Sequence, residues 1–227
     1  MLRQFVVGLL LATIFPLAAQ PVVGVKVGLD RTLTSVQSGT AAIPGLPEPE
    51  VENGWEFHGG AFAEIDLSEQ LFLRPELLYA QRGHRYTAAF DTTILFISAR
   101  VEAEVDVKRT YLELPILLGY RISERTSVLL GPAAGYLLGS HATTTGQFSV
   151  GGFFPGMNVP FSETSTTTNG LEELSLAAVA GLNWRSLFGL DLGVRYVHGL
   201  GYLESDTDAI RTRQSSMQLA VGYAFLR

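Results

Sequence analysis

The chain has 227 residues, of which 47% are hydrophobic and 17% charged, and it carries a formal charge of −6 with no cysteine. The missing cysteines exclude a disulfide framework, a thiolate zinc site, a catalytic thiol and an acylated N-terminal Cys, and the acidic balance leaves no electrostatic footprint for nucleic acid as a partner. Beyond the N-terminus no apolar run approaches the roughly 18 residues that a membrane-spanning helix needs.

The opening reads MLRQ, FVVGLLLATIF, PLAAQ: one basic residue (Arg3), an apolar run, a helix-breaking Pro16, and small residues before Gln20. This is a secretory signal layout. It predicts a signal peptide over 1–19, cleaved after Ala19, and one domain over 20–227.

From Val22 onward apolar residues recur at every second position, the period of a strand, and eight segments show it. The first sets Val23, Val25, Val27 and Leu29 against Gly24, Lys26, Gly28 and Asp30. The second sets Trp55, Phe57, Ala61, Ala63 and Ile65 against Glu56, His58, Gly60, Phe62 and Glu64; the third sets Leu71, Leu73, Leu77 and Tyr79 against Arg74, Glu76 and Arg82. In the fourth, Leu112, Leu114, Ile116, Leu118 and Tyr120 oppose Tyr111, Glu113, Gly119 and Arg121. The fifth sets Val128, Leu130, Ala134, Tyr136 and Leu138 against a mostly small face of Ser127, Leu129, Gly131, Ala133 and Gly135. The sixth sets Leu174, Leu176, Leu182 and Trp184 against Ser175, Ala177, Gly181 and Asn183. The seventh sets Phe188, Leu190, Leu192, Val194 and Tyr196 against Asp191, Gly193 and Arg195, and the eighth sets Met217, Leu219, Val221, Tyr223 and Phe225 against Ser216, Gln218, Ala220, Gly222 and Ala224.

The links alternate strictly between long (31–54, 83–108, 139–173, 199–213) and short (66–70, 123–126, 185–187). Apolar faces of roughly 9 to 11 residues match a tilted strand crossing a hydrocarbon layer, and the alternating links match tight turns at one rim and loops at the other. The prediction is all-β: an eight-stranded antiparallel up-and-down transmembrane β-barrel of a diderm outer membrane, with short periplasmic turns and four long extracellular loops. Outer-membrane lipid and the barrel-insertion machinery are then its expected partners.

An eight-stranded barrel has room inside only for side chains, so the bulky faces belong to lipid and the small-plus-charged faces to the lumen. Lumenal charges must pair, because an unpaired buried charge is expensive. Lys26, Arg74, Arg82, Arg121 and Arg195 are expected to meet Asp30, Glu56, Glu64, Glu76, Glu113 and Asp191 in a structural plug. Aromatics favour membrane interfaces, and threading the strands puts Tyr120, Trp184, Phe188, Tyr223 and Phe225 near the turn rim. Trp55, Phe57, Tyr79, Tyr136 and Tyr196 fall near the loop rim.

Two features strain the pattern. Pro75, Pro115 and Pro132 lie inside strands of a sheet that has no edge to spare a donor. Val101, Ala103, Val105 and Val107 alternate in the phase opposite to Leu112 onward, which predicts a bulge near Arg109 or a strand extending beyond the membrane.

The segments RPELLYAQRG (74–83), YLELPILLGYRI (111–122), LLGPAAGYLL and the closing LAVGYAF resemble the strands of PorT-like outer-membrane β-barrel proteins of the Bacteroidetes type, over essentially the whole mature chain. The resemblance implies the same small-barrel fold and makes the internal prolines family features; it assigns no activity. The last strand resembles the C-terminal signal read by the insertion machinery, with Leu226 and Arg227 following Phe225 where that signal ends on an aromatic residue.

No chemistry announces itself. The four histidines (His58, His84, His141, His198) form no HExxH and no ligand-spaced pair, and there is no GxSxG elbow. Eight-stranded lipid A deacylases place a His and a Ser two residues apart on a late strand; here VHGLG has His198 but Leu200 where the Ser would stand. His58 and Glu56 are either an acid/base pair inside the barrel or one link of its charge network. The long third loop carries Phe148, Phe153, Phe154 and Phe161, candidate contacts for a protein or surface ligand or a cap over the mouth, and ILFIS (94–98) could extend a hairpin above the membrane. The expectation is a non-enzymatic protein without cofactor or metal, acting in binding, adhesion or membrane integrity through its loops. The alternatives are a small porin-like diffusion pore and an accessory part of a secretion or gliding machine.

Overall fold

The computed structural model describes residues 21–37, 50–94, 97–151, 157–166, 173–201 and 211–225. The expected signal peptide lies outside them. Their regular structure is entirely β: β1 (Val22–Gln37), β2 (Glu50–Asn53), β3 (Trp55–Asp66), β4 (Leu71–Ile94), β5 (Ile97–Arg121), β6 (Thr126–Gly151), β7 (Met157–Thr166), β8 (Leu174–Arg185), β9 (Leu190–Gly199) and β10 (Arg211–Phe225). Eight of these pair antiparallel in the ring β1-β3-β4-β5-β6-β8-β9-β10, which β1 and β10 close. The eight alternating segments are the eight ring strands.

The pleat sorts the residues as the alternation predicts. On β5, Leu112, Leu114, Ile116, Leu118 and Tyr120 are 40–48% exposed, while Tyr111, Glu113 and Leu117 between them are buried in the lumen. The three short turns, 67–70, 122–125 and 186–189, are four residues each, and the last requires a glycine. Gly189 there has φ +93°, and a Cβ would stand 2.4 Å from the Ala224 carbonyl oxygen, so only glycine fits. Phe188, expected at the start of a strand, sits in this turn instead.

The three prolines are accommodated by skipped ladder positions. The β3–β4 ladder jumps from Phe62↔Glu76 to Ile65↔Leu73 beside Pro75, and the β4–β5 ladder jumps from Pro75↔Ile116 to Leu78↔Glu113 beside Pro115. The β5–β6 ladder jumps from Pro115↔Ala133 to Leu118↔Leu130 beside Pro132. Each proline turns its missing N–H toward the preceding strand and keeps its pairing with the following one, and the register resumes unchanged.

Two of the four long loops prove to be sheet, which corrects the expectation for 83–108 and much of 139–173. The β4–β5 ladder runs on from Gly83↔Lys108 to Ile94↔Ile97, β6 follows β5 up to Ser98↔Gly151, β7 adds to β6, and β2 adds to β4. A five-stranded sheet, β2-β4-β5-β6-β7, therefore stands above one side of the ring.

The phase puzzle is resolved here. β5 never changes phase: Val101, Ala103, Val105 and Val107 continue the lumenal face of Arg109 and Tyr111, while Arg100, Glu102, Glu104 and Asp106 continue the lipid face. Within the membrane the outer solvent is hydrocarbon; above it, water, so the apolar side of the strand swaps from outside to inside. A register shift does lie beside Arg109, between Thr110 and Tyr111, but the extra residue is Leu138 on β6, whose neighbours Leu137 and Gly139 take the consecutive pairings.

Candidate functional site

The periplasmic half of the lumen is occupied by one ion network built from five strands. Arg74 on β4 is its hub: Nε donates to Glu76 Oε1 (2.9 Å), Nη1 to Glu64 Oε1 (3.1 Å) and Nη2 to Asp191 Oδ1 (3.1 Å). Its guanidinium also lies 3.8 Å over the Phe62 ring, and the residue is 1% exposed. Glu76 accepts a bidentate pair from Arg195 (2.6 and 2.7 Å) and a third bond from Lys26 (2.9 Å). Arg185 grips Glu64 with both terminal nitrogens at 2.7 Å and reaches Asp191 Oδ2, which Asn183 also holds at 2.9 Å. Such bidentate, charge-assisted bonds are the strong kind. Around them Phe62, Phe72, Leu117 and Leu129 are buried, so side chains fill this part of the barrel.

Of the charges expected in the lumen, Lys26, Glu64, Arg74, Glu76, Asp191 and Arg195 meet in this network, and Arg82 pairs separately with Glu113 at 2.6 Å. Three placements differ from expectation. Arg121 lies at the turn rim, 31% exposed along its side chain, paired with Asp66 rather than with the plug. Glu56 is only half-buried, and His58 pairs not with it but with Asp30, Nδ1 to Oδ1 at 2.8 Å. Arg185 was expected in a turn, yet one further step of the alternation through Ser175, Ala177, Gly181 and Asn183 would have carried it inside.

The upper lumen is different. Across β4, β5 and β6 the inward residues Arg82, Arg109 and Ser140 stand side by side, with His84, Val107 and Ala142 in the row above. Arg109 and His84 are missing from the expected lumenal set because they fall at the edge of the 83–108 link. Nε and Nη1 of Arg109 and Nδ1 of His84 are buried without a hydrogen-bond partner, and so are polar atoms of Thr32, Gln214 and Ser216. Burial, with Arg109 beside it, pushes the His84 imidazole down to about 4 against a weaker pull from Asp106.

On the outside, Trp55, Phe57, Tyr79, Tyr136 and Tyr196 face outward toward the loop rim, and Tyr120, Trp184, Phe188, Tyr223 and Phe225 toward the turn rim. Phe57 and Tyr79 touch at 6.0 Å between centroids, as do Tyr223 and Phe225 at 5.6 Å. Phe148 and Phe161 project from β6 and β7 of the extracellular sheet, on its inward face, both exposed. Phe153 and Phe154 lie outside the described residues.

No group of three or more His, Cys, Asp or Glu suited to a metal occurs among the described residues. One hydroxyl–imidazole pair does: His198 Nδ1 and Ser215 Oγ at 3.1 Å, across β9 and β10 near the loop rim. It came from the neighbouring strand, not from the position two residues on. A nucleophilic pair needs a third group to orient the ring, and among the described residues His198 has no carboxylate partner.

Residues 19–204 match the family described as outer membrane protein beta-barrel domain. No curated protein matches significantly. Among solved structures, the chain is similar to Ail, the attachment invasion locus protein of Yersinia pestis, at 14% identity over 91% of this chain and 99% of that one, with a TM-score of 0.41. It is similar to the outer membrane protein OprG of Pseudomonas aeruginosa at 13% identity over 92% and 98% (TM-score 0.40), and to Neisserial surface protein A at 12% over 90% and 97% (0.34).

Proposed function

Since the chain belongs to the outer membrane protein beta-barrel domain family, and thus to the outer membrane, we propose that it is a plugged, non-enzymatic barrel that binds a partner or surface ligand through its extracellular sheet. The observation that carries this is the filled lumen: seven charged side chains from five strands, anchored on Arg74, close the periplasmic half. The sheet β2-β4-β5-β6-β7 is then the part of the chain that reaches beyond the membrane, with an apolar inner face and a charged outer one. Within the family, the strands 74–83 and 111–122 support a place among the PorT-like barrels. Residues 1–19 are read as a cleaved signal, so the mature protein starts at Gln20 and its intact mass tests that start.

The test is single-channel conductance in a planar bilayer, using protein whose folding is verified by heat-dependent gel mobility. No stable steps are expected; reproducible steps would overturn the plug and make a diffusion pore the primary reading. Replacing 87–104 by a short turn should leave the barrel folded and abolish surface binding by cells that carry it. Unchanged binding, or lipid hydrolysis by the pure protein that Ser215→Ala removes, would sink the proposal.

A further inference from the structure

The lumenal wall just above the membrane holds a cation that meets no carboxylate among the described residues. Arg109 is 7% exposed and faces Arg82 directly across the β4–β5 ladder. Like charges opposed on one face of a sheet repel, and here only one is neutralised, since Glu113 takes Arg82 at 2.6 Å. Arg109 makes no ion pair among the described residues, and its Nε and Nη1 are buried without a hydrogen-bond partner. Other carboxylates of this region serve elsewhere: Asp106 points from the outer face of β5 to Arg85, Asp30 holds His58, and Glu56 lies against Gly83 beside Lys108. Leaving a buried guanidinium unpaired is destabilising, a penalty that an anion would remove.

We propose that Arg109, with the Ser140 hydroxyl beside it on β6 and the second guanidinium of Arg82 on β4, forms a binding site for a small soluble oxyanion, phosphate or sulfate in class, in the mouth of the barrel. The three residues lie in one row across three strands, in the ladder Arg82↔Arg109↔Ser140. Guanidinium groups suit tetrahedral oxyanions because their planar forks donate in pairs, and a hydroxyl adds a neutral donor. Tyr111, in the row beneath, has the Arg82 guanidinium 5.7 Å from its ring and forms the floor. The neighbouring imidazole of His84 remains neutral near pH 7, so it adds a polar edge without a charge. The three positions face the barrel axis rather than the lipid, which favours a soluble ion over a lipid headgroup. The inference stands apart from the proposed function: a sheet that binds nothing would leave it intact.

The experiment is calorimetric titration of inorganic phosphate into the full folded chain in detergent, against chloride at matched ionic strength. One saturable site per barrel is expected. Arg109→Gln removes charge-assisted bonds and should weaken binding roughly ten- to a hundredfold, Ser140→Ala about two- to tenfold, and Arg100→Gln, an exposed arginine of the sheet, not at all. Repeating the titration in vesicles with and without anionic lipid should give one affinity; binding that appears only with anionic lipid would assign the anion to a headgroup and overturn the soluble-ion site. No saturable binding by the parent protein overturns it outright, whatever the variants do. Equal affinity in folded Arg109→Gln overturns it too.

Discussion

The two halves of the lumen are built from the same residue types and are held together differently. Below Tyr111, Arg74, Arg185 and Arg195 all hold carboxylates among Glu64, Glu76 and Asp191, with Arg195 Nε and Asn183 Oδ1 left over, and the network ties β1, β3, β4, β8 and β9 into one unit. Above it, Arg109, His84, Thr32, Gln214 and Ser216 carry buried polar atoms that meet no partner. Paired buried charge is architecture, whereas unpaired buried polarity is a standing cost that calls for an explanation outside folding. The contrast separates what keeps this barrel shut from what it has to offer at its mouth.

Removing the hub should give the largest effect. Arg74→Met removes the hub that joins Glu64, Glu76 and Asp191, leaving Glu64 and Asp191 to Arg185 alone among the arginines, and is expected to lower stability by about 3–5 kcal/mol, read as a lower urea midpoint in detergent. Glu113→Gln acts in the upper half, where a single ion pair to Arg82 is lost rather than a hub, and should cost about 1–3 kcal/mol while tightening phosphate binding, because it frees Arg82. A cost as large as that of Arg74→Met would erase the distinction between the halves.

A pH effect should be smaller still. Folded His84 titrates near 4 against an ordinary 6.5. Above 6.5 the imidazole is neutral in both states and contributes nothing. As pH falls from 6.5 toward 4 the unfolded chain takes up the proton first, so stability declines, by about 1–2 kcal/mol once solvent screening is allowed for. His84→Gln should remove that slope when unfolding is compared at pH 7.5 and 4.5. Arg100→Gln, on an exposed side chain, is expected to change stability by less than about 0.5 kcal/mol.

The ring was legible in the sequence because period-two alternation survives wherever one face meets hydrocarbon and the other the lumen. Leu112 to Tyr120 carried that signal cleanly. The same rule hid the extracellular sheet: from Val101 to Val107 the apolar side faces inward, and a pattern tuned to lipid reads the inversion as a break. Charge in the lumen was visible as a census but not as a set of contacts. His58 could as well have met Glu56 as Asp30, since both lie on neighbouring positions of the same face, and only the register of β1 on β3 decides it. Arg185 and Arg109 sat at the edges of segments read as turn and loop, where alternation had run out of residues to count. The pairing of His198 with Ser215 joins strands separated by a long link, which no local spacing reports.

The closing seam carries a consequence for assembly. β1 and β10 pair without a gap from Val23↔Phe225 to Gln37↔Arg211, while the ladders around Pro75, Pro115 and Pro132 each skip positions. Hairpins between neighbouring strands form locally and can tolerate interruptions, because little chain entropy is lost in bringing their halves together. The seam joins the two ends of the domain and must overcome the largest loop-closure entropy in the molecule. The seam keeps an unbroken ladder across the largest sequence separation in the ring, so pairings lost there are the costliest to re-form, and trimming either terminus would open the ring at the joint between the two ends of the domain.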